Sequence, residues 1–138
     1  MRTSKIFVTV DIVVHQPTLA GGKILLIQRK NPPFENQWAL PGGFVDENEN
    51  LPDAAQRELL EETSIRVQHV EQLKAFGKPG RDPRGHMVSV AFLARITDEH
   101  QKPEAADDAQ DAQWFSVNHL PTLAFDHAEI INFALTKI

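Results

Sequence analysis

The stretch GFVDENENLPDAAQRELLEETSI, residues 43–65, decides how this chain reads. Asn50 can cap a helix, and Pro52 falls in its first turn, where a missing N–H costs nothing. The spacing predicts a helix over residues 50–63. At about 100° per residue, Leu51, Ala54 and Ala55 share one side, and Glu58 and Glu62 fall on that same side one and two turns later. Glu61 lies on its flank and Leu60 points roughly the opposite way. A plain amphipathic helix does the reverse, with carboxylates in solvent and leucine in the core. Three glutamates at this spacing repel one another by a few tenths of a kcal/mol per pair when exposed, and by more when partly desolvated. Divalent cations between them would remove that cost, and glutamate oxygens are the hard ligands that magnesium prefers.

A Glu-Glu pair on its own is usually a solvated acidic face. Here Arg57-Glu58-Leu59-Leu60-Glu61-Glu62 resembles the core of the Nudix box. That box runs glycine, five residues, glutamate, seven residues, Arg-Glu, a bulky aliphatic, any residue, Glu-Glu, any residue, glycine, aliphatic. The chain supplies Gly43, Glu49, Arg57, Glu58, Leu59, Glu61, Glu62 and Ile65 in register. So many fixed letters at fixed offsets are far more specific than a lone glycine-rich loop. Ser64 is the one departure, standing where the family has glycine. The position follows the helix, where glycine accepts a left-handed conformation. Serine there costs up to about 1 kcal/mol and removes no ligand, although a displaced helix end would put Glu62 most at risk.

The resemblance implies an α/β fold, a Nudix-type α/β/α sandwich with a curved mixed β-sheet between helices. It implies a hydrolase that splits the pyrophosphate bond of a nucleoside diphosphate derivative, with Mg2+ as cofactor and Mn2+ as the alternative. Glu58 and Glu62 become the leading metal ligands, with Glu61 a third and a backbone carbonyl of Gly42 or Gly43 completing the set. Arg57 and Glu49 become the pair that pins the loop to the helix. The general base stays open between Glu61 and the acids of residues 104–111, where Asp107 and Asp108 are the two to test.

Outside the box the chain resembles the ADP-ribose pyrophosphatase branch. The likeness rests on FGKPGRDPRGH at residues 76–86, on Val88-Ser89-Val90-Ala91-Phe92, and on a weaker echo in Phe125-Asp126-His127. A Gly/Pro/Arg loop between strands is otherwise just a turn; by resemblance, Arg81 and Arg84 are candidates for binding phosphate or the terminal ribose. Trp38 and Phe34 are candidates for stacking on the base, against the ordinary expectation that a tryptophan beside an apolar segment is core. His127 reads as structural. The implied reaction is ADP-ribose to AMP and ribose 5-phosphate, with other nucleoside diphosphate sugars or triphosphates as alternatives. A non-catalytic ADP-ribose-sensing module is the alternative of another class. The intact box carboxylates and the end of the chain at Ile138, just past its last helix, weigh against that.

The remaining segments suit this frame. Strands are expected at residues 5–14, 23–29, 67–76, 86–96 and 112–115, with short extended structure and a tight turn over residues 38–45. An acidic stretch spans residues 99–111. A last helix is expected over residues 126–137, with Asp126 as its cap and Glu129 completing a capping-box-like pair. The 138 residues suit one domain over 1–138, and a net charge of −5 argues against nucleic acid as a partner. No stretch has the roughly 20 apolar residues of a membrane helix. Cysteine is absent, which excludes disulfides and thiolate chemistry and fits a cytoplasmic protein. A homodimer is expected by resemblance alone.

Overall fold

The fold is described from a computed structural model, in which residues 2–97 and 100–138 are described. Met1, and Glu99 at the start of the acidic stretch, lie outside them. The strands are β1 (Ile6–Gln16), β2 (Lys23–Arg29), β3 (Trp38–Ala39), β4 (Gly42–Phe44), β5 (Glu71–Phe76), β6 (His86–Arg95) and β7 (Ala109–Ser116). The helices are α1 (Leu51–Thr63) and α2 (His127–Leu135). One mixed sheet holds all seven strands in the order β3-β2-β1-β6-β5, with β4 also on β1 and β7 on β2. β1 runs parallel to β6 along its length, while its other edge is shared. β4 takes Thr9–Asp11, and β2 takes His15 and Gln16.

β1 is apolar along most of its length, interrupted at Thr9 and Asp11, because both faces of the sheet are covered. Val10, Ile12 and Val14 join Leu25, Val90 and Phe92 against Ala54, Ala55 and Leu59 of α1. Val13 joins Ile24, Leu26, Ala91 and Leu93 against Ile130, Ile131 and Ala134 of α2. Alternate residues of one strand thus feed two cores, as the period of two requires, and the layers are helix, sheet, helix. This is the sandwich expected from the sequence.

α1 begins where it was expected, with the Asn50 side chain accepting from the Leu51 N–H and proline in the first turn. It ends at Ser64, which adopts the left-handed conformation (φ 64°) and donates its N–H to the Leu60 carbonyl. Serine therefore fills the glycine's conformational role without displacing the helix end. Ser64→Gly is expected to raise stability by about 0.5–1 kcal/mol, read from urea denaturation. An unchanged or lower midpoint would mean that the weak bond from Ser64 Oγ to the Glu104 carbonyl (3.4 Å) outweighs the backbone cost.

Three expectations need correction. Residues 67–70 are not strand; β5 starts at Glu71. β7 starts at Ala109, inside the acidic stretch, because its ladder with β2 continues past a bulge to pair Arg29 with Ala109. The Asp126 side chain does not cap α2 and makes no capping-box pair with Glu129. Its carboxylate is instead held from the side by Arg81.

Candidate active site

β3 and β4 are separated only by Leu40 and Pro41, and this tight turn sets the site against α1. Two glycines open β4, the first closed to a side chain by backbone and the second by the Glu58 carboxyl alone. A Cβ on Gly42 would collide with the Val10 carbonyl and lie 2.6 Å from Asp11 Oδ1, and one on Gly43 would sit 2.6 Å from the Glu58 carboxyl. The backbone therefore approaches the acidic face of α1 as closely as a chain can. The Gly42 N–H donates to Glu62 Oε1 at 2.8 Å.

Glu62 is 7% exposed. Burial pushes its carboxyl up to about 8, and the Gly42 hydrogen bond offsets this only in part. The other charges acting on it most are those of Glu58, Asp11 and Asp108, all negative. Glu58 is also pushed up by burial, against the pull of Arg57.

Arg57 is the hub of the box. Its Nε and Nη2 grip Glu49 at 2.6 and 2.8 Å, Nη1 reaches Glu58 at 2.9 Å and Glu61 at 3.2 Å, and Nη2 also reaches the Phe44 carbonyl at 3.1 Å. The Arg57 hydrogen bonds hold the Glu49 carboxyl down at about 2. Loop and helix are thus joined through one guanidinium, in the arrangement expected of this pair.

A cleft opens beside these groups, lined by Thr9, Asp11, Arg29, Gly42, Gly43, Phe44, Glu62, Arg81, Asp82, Arg84, Asp108, Phe125 and His127 among others. Its lining brings the carboxylates of Glu62, Asp11 and Asp108 together with the guanidiniums of Arg29 and Arg84, and Arg29 feels the charges of both Glu62 and Asp108. The Arg29 Nε donates to the Pro33 carbonyl at 2.7 Å, and its guanidinium lies 5.1 Å from the Phe125 ring centre. Burial and the nearby Arg84 both lower the pKa of Arg29. Arg84 lies 5.6 Å from both the Phe44 and Phe125 ring centres and is anchored by Asp82, whose carboxylate it grips at 2.8 and 3.1 Å.

The candidates from sequence divide accordingly. Arg81 and Arg84 both reach the cleft, but Arg81 is committed to Asp126 at 2.6 and 2.8 Å, with its side chain only 5% exposed. Burial works against its charge, yet the bonds to Asp126 outweigh that and hold its pKa up. Asp108 lines the cleft and Asp107 does not. Trp38 and Phe34 lie outside it: Trp38 packs edge-on against Phe115 at 4.8 Å, and Phe34 against Phe125 at 4.7 Å. Sequence reading missed Asp11, Arg29, Ser89 and Phe125. Asp11 did leave a signal, as the one acidic residue in the apolar run of β1. It is 7% exposed and accepts a short hydrogen bond from the Ser89 hydroxyl on the neighbouring strand.

Among the described residues no trio of His, Asp or Glu side chains converges into a ready-made cation cage. Magnesium does not need one, since it keeps waters and binds through one or two carboxylates plus substrate phosphates. The donor set fits that habit. Glu62 is a buried carboxylate among negative charges, and the second oxygens of Glu58 and Glu61 accept no hydrogen bond from Arg57.

Comparison with known proteins agrees with this geometry. Residues 5–133 match the NUDIX domain family, and the chain belongs to that family. An ADP-ribose pyrophosphatase of Methanocaldococcus jannaschii is 44% identical over 124 residues, covering 90% of this chain and 70% of that protein. An ADPR-responsive transcriptional repressor, NtrR, of Acinetobacter baylyi is 36% identical, covering 94% of this chain but only 53% of the relative. Among solved structures, the NUDIX domain of Shewanella oneidensis NrtR complexed with ADP ribose superposes with a TM-score of 0.87 at 35% identity, covering 98% of this chain and 90% of that one. The chain is a Nudix pyrophosphohydrolase.

Proposed function

We propose that the protein hydrolyses ADP-ribose to AMP and ribose 5-phosphate with magnesium as its cofactor. The observation that carries this is the lining of one cleft, which holds the buried Glu62 carboxyl among other negative charges together with the guanidiniums of Arg29 and Arg84. A diphosphate flanked by two sugars matches that pattern. The relative from M. jannaschii, named an ADP-ribose pyrophosphatase, and the ADP ribose held by the S. oneidensis domain support the choice.

Glu58 and Glu62 would hold the ion, with Glu61 and a carbonyl of Gly42 or Gly43 completing the set. A bound magnesium ion supplies charge neutralisation of the diphosphate and a water of lowered pKa. The chain's own contributions are positional and electrostatic. Gly42 fixes the Glu62 carboxylate, Arg57 holds Glu58 and Glu61, and Arg84 faces the charge that develops on the leaving phosphate. Hydrolysis adds water across the P–O–P bridge: one P–O bond forms, the bridging bond breaks, and a carboxylate takes the water's proton. Asp108 in the cleft and Glu61 on α1 are the two candidates for that base.

The same reading takes the protein as one domain, as a cytoplasmic enzyme without a nucleic-acid partner, and as a homodimer. The charge of −5 supports the lack of a nucleic-acid partner, and the absence of cysteine supports the cytoplasmic assignment. Exposed Ile6, Phe7, Val8 and Phe44 provide apolar surface for the dimer. No helix among the described residues is long and apolar enough to cross a membrane.

The test is release of mononucleotide from a panel of nucleoside diphosphate sugars, dinucleotides and triphosphates. ADP-ribose is expected to lead in kcat/KM by about tenfold or more, with turnover abolished by EDTA. Preference for triphosphates would overturn the substrate. Tight ADP-ribose binding without hydrolysis of anything would move the protein to the sensing class represented by NtrR.

A further inference from the structure

His127 is the side chain whose surroundings least resemble those of an ordinary core residue. It is 4% exposed, and its Nδ1 accepts the N–H of Leu40, 87 residues away, at 2.9 Å. Leu40 lies in the turn between β3 and β4, so this N–H has no ladder partner. An apolar replacement would bury it without any partner, at the full cost of desolvation. With Nδ1 accepting, the neutral ring carries its proton on Nε2, which faces Asp11 Oδ1 at 3.5 Å. The other Asp11 oxygen is taken by Ser89, so that carboxylate is held from two sides. Its Oδ1 in turn lies close against Gly42, where a Cβ would stand 2.6 Å away. Leu40 and Gly42 are thus both braced, one by the ring and the other by the carboxylate that the ring faces. The Gly42 N–H is the group that fixes Glu62.

We propose that His127 is a positioning residue: by holding the Leu40 N–H and facing Asp11, it sets the turn that aims Gly42 at Glu62, and so tunes the site's affinity for a divalent cation. The inference rests on reading Glu58 and Glu62 as the cation site. The ring acts through the turn and does not touch the reacting atoms.

Three measurements on the full chain decide it. In the metal-free wild type, the ring 15N shifts of His127 are expected to report the Nε2–H form, and the Leu40 and Gly42 amides to exchange slowly. In His127→Leu both amides should exchange faster, and Mn2+ affinity, titrated by its EPR signal, should fall by about tenfold or more. His127→Gln, whose amide can both accept and donate, should recover most of that affinity. A merely space-filling histidine would give the opposite ranking, since leucine then serves better than glutamine. An Nδ1–H ring in the wild type, or Mn2+ affinity in His127→Leu within about twofold of wild type, would overturn the inference. Absence of any Mn2+ binding by the wild type would instead sink the cation-site reading, and this inference with it.

Discussion

Glu62→Gln is expected to lose turnover by about a thousandfold and yet make the metal-free protein more stable at pH 8 by about 2–4 kcal/mol. The two effects share one cause. Glu62 ionises near 4.5 in an unfolded chain and near 8 in the fold, because burial disfavours its charge. Between those values the unfolded chain has shed the proton while the native state keeps it. Rising pH therefore favours unfolding across that window, and the cost is complete above about 8. Glutamine keeps an oxygen for the Gly42 N–H and carries no charge to bury. The gain should vanish by about pH 3, more than a unit below the unfolded value of 4.5, where the carboxyl is protonated in both states. Urea denaturation in EDTA at both pH values measures it. Added Mg2+ should raise the wild-type midpoint and leave the variant's unmoved. A variant no more stable than wild type at pH 8 would show that Glu62 is not a charge in want of a cation.

Arg57→Lys should be the most damaging conservative change on the box. An ammonium group cannot span Glu49, Glu58, Glu61 and the Phe44 carbonyl, which the planar guanidinium reaches together. The expected loss is about 2–3 kcal/mol of stability and about 10–100-fold in kcat, because the residue orients ligands and does not itself bind the ion. Acid adds a signature. The Glu49 carboxyl is depressed to about 2 by Arg57, so its stabilisation is present above about 4.5 and is lost as pH falls towards 2. Between those values the melting temperature of Arg57→Lys should fall less steeply than that of wild type. Parallel curves would show that Glu49 owes its low pKa to something else.

The helix with the carboxylates was legible because its signals are local. Asn50, Pro52 and the left-handed residue after Thr63 mark its ends, and one helical projection puts Glu58 and Glu62 on the buried side. The two-core sandwich was legible from the family resemblance and from the apolar run of β1. The arginines of the cleft were only half legible, because distance along the chain hides partners. Asp126 looks like a cap for the helix behind it, yet Arg81, 45 residues earlier, reaches it first. Arg29 is an ordinary strand end in sequence, and only the approach of Phe125 and Arg84 turns it into part of the cleft. Trp38 was open between base stacking and core, and only the fold shows its ring packing edge-on against Phe115.

At Gly42 a side chain is barred by the β1 backbone, and at Gly43 it would have to push the Glu58 carboxyl aside. The approach of β4 to α1 is therefore held by backbone at one of these positions and by a single side chain at the other. Arg84 and Phe125, by contrast, line the cleft and meet each other through their side chains. If the cleft holds the substrate as proposed, a lineage built on this scaffold can change what it reads at Arg84 and Phe125 while Gly42 keeps the hold on Glu62.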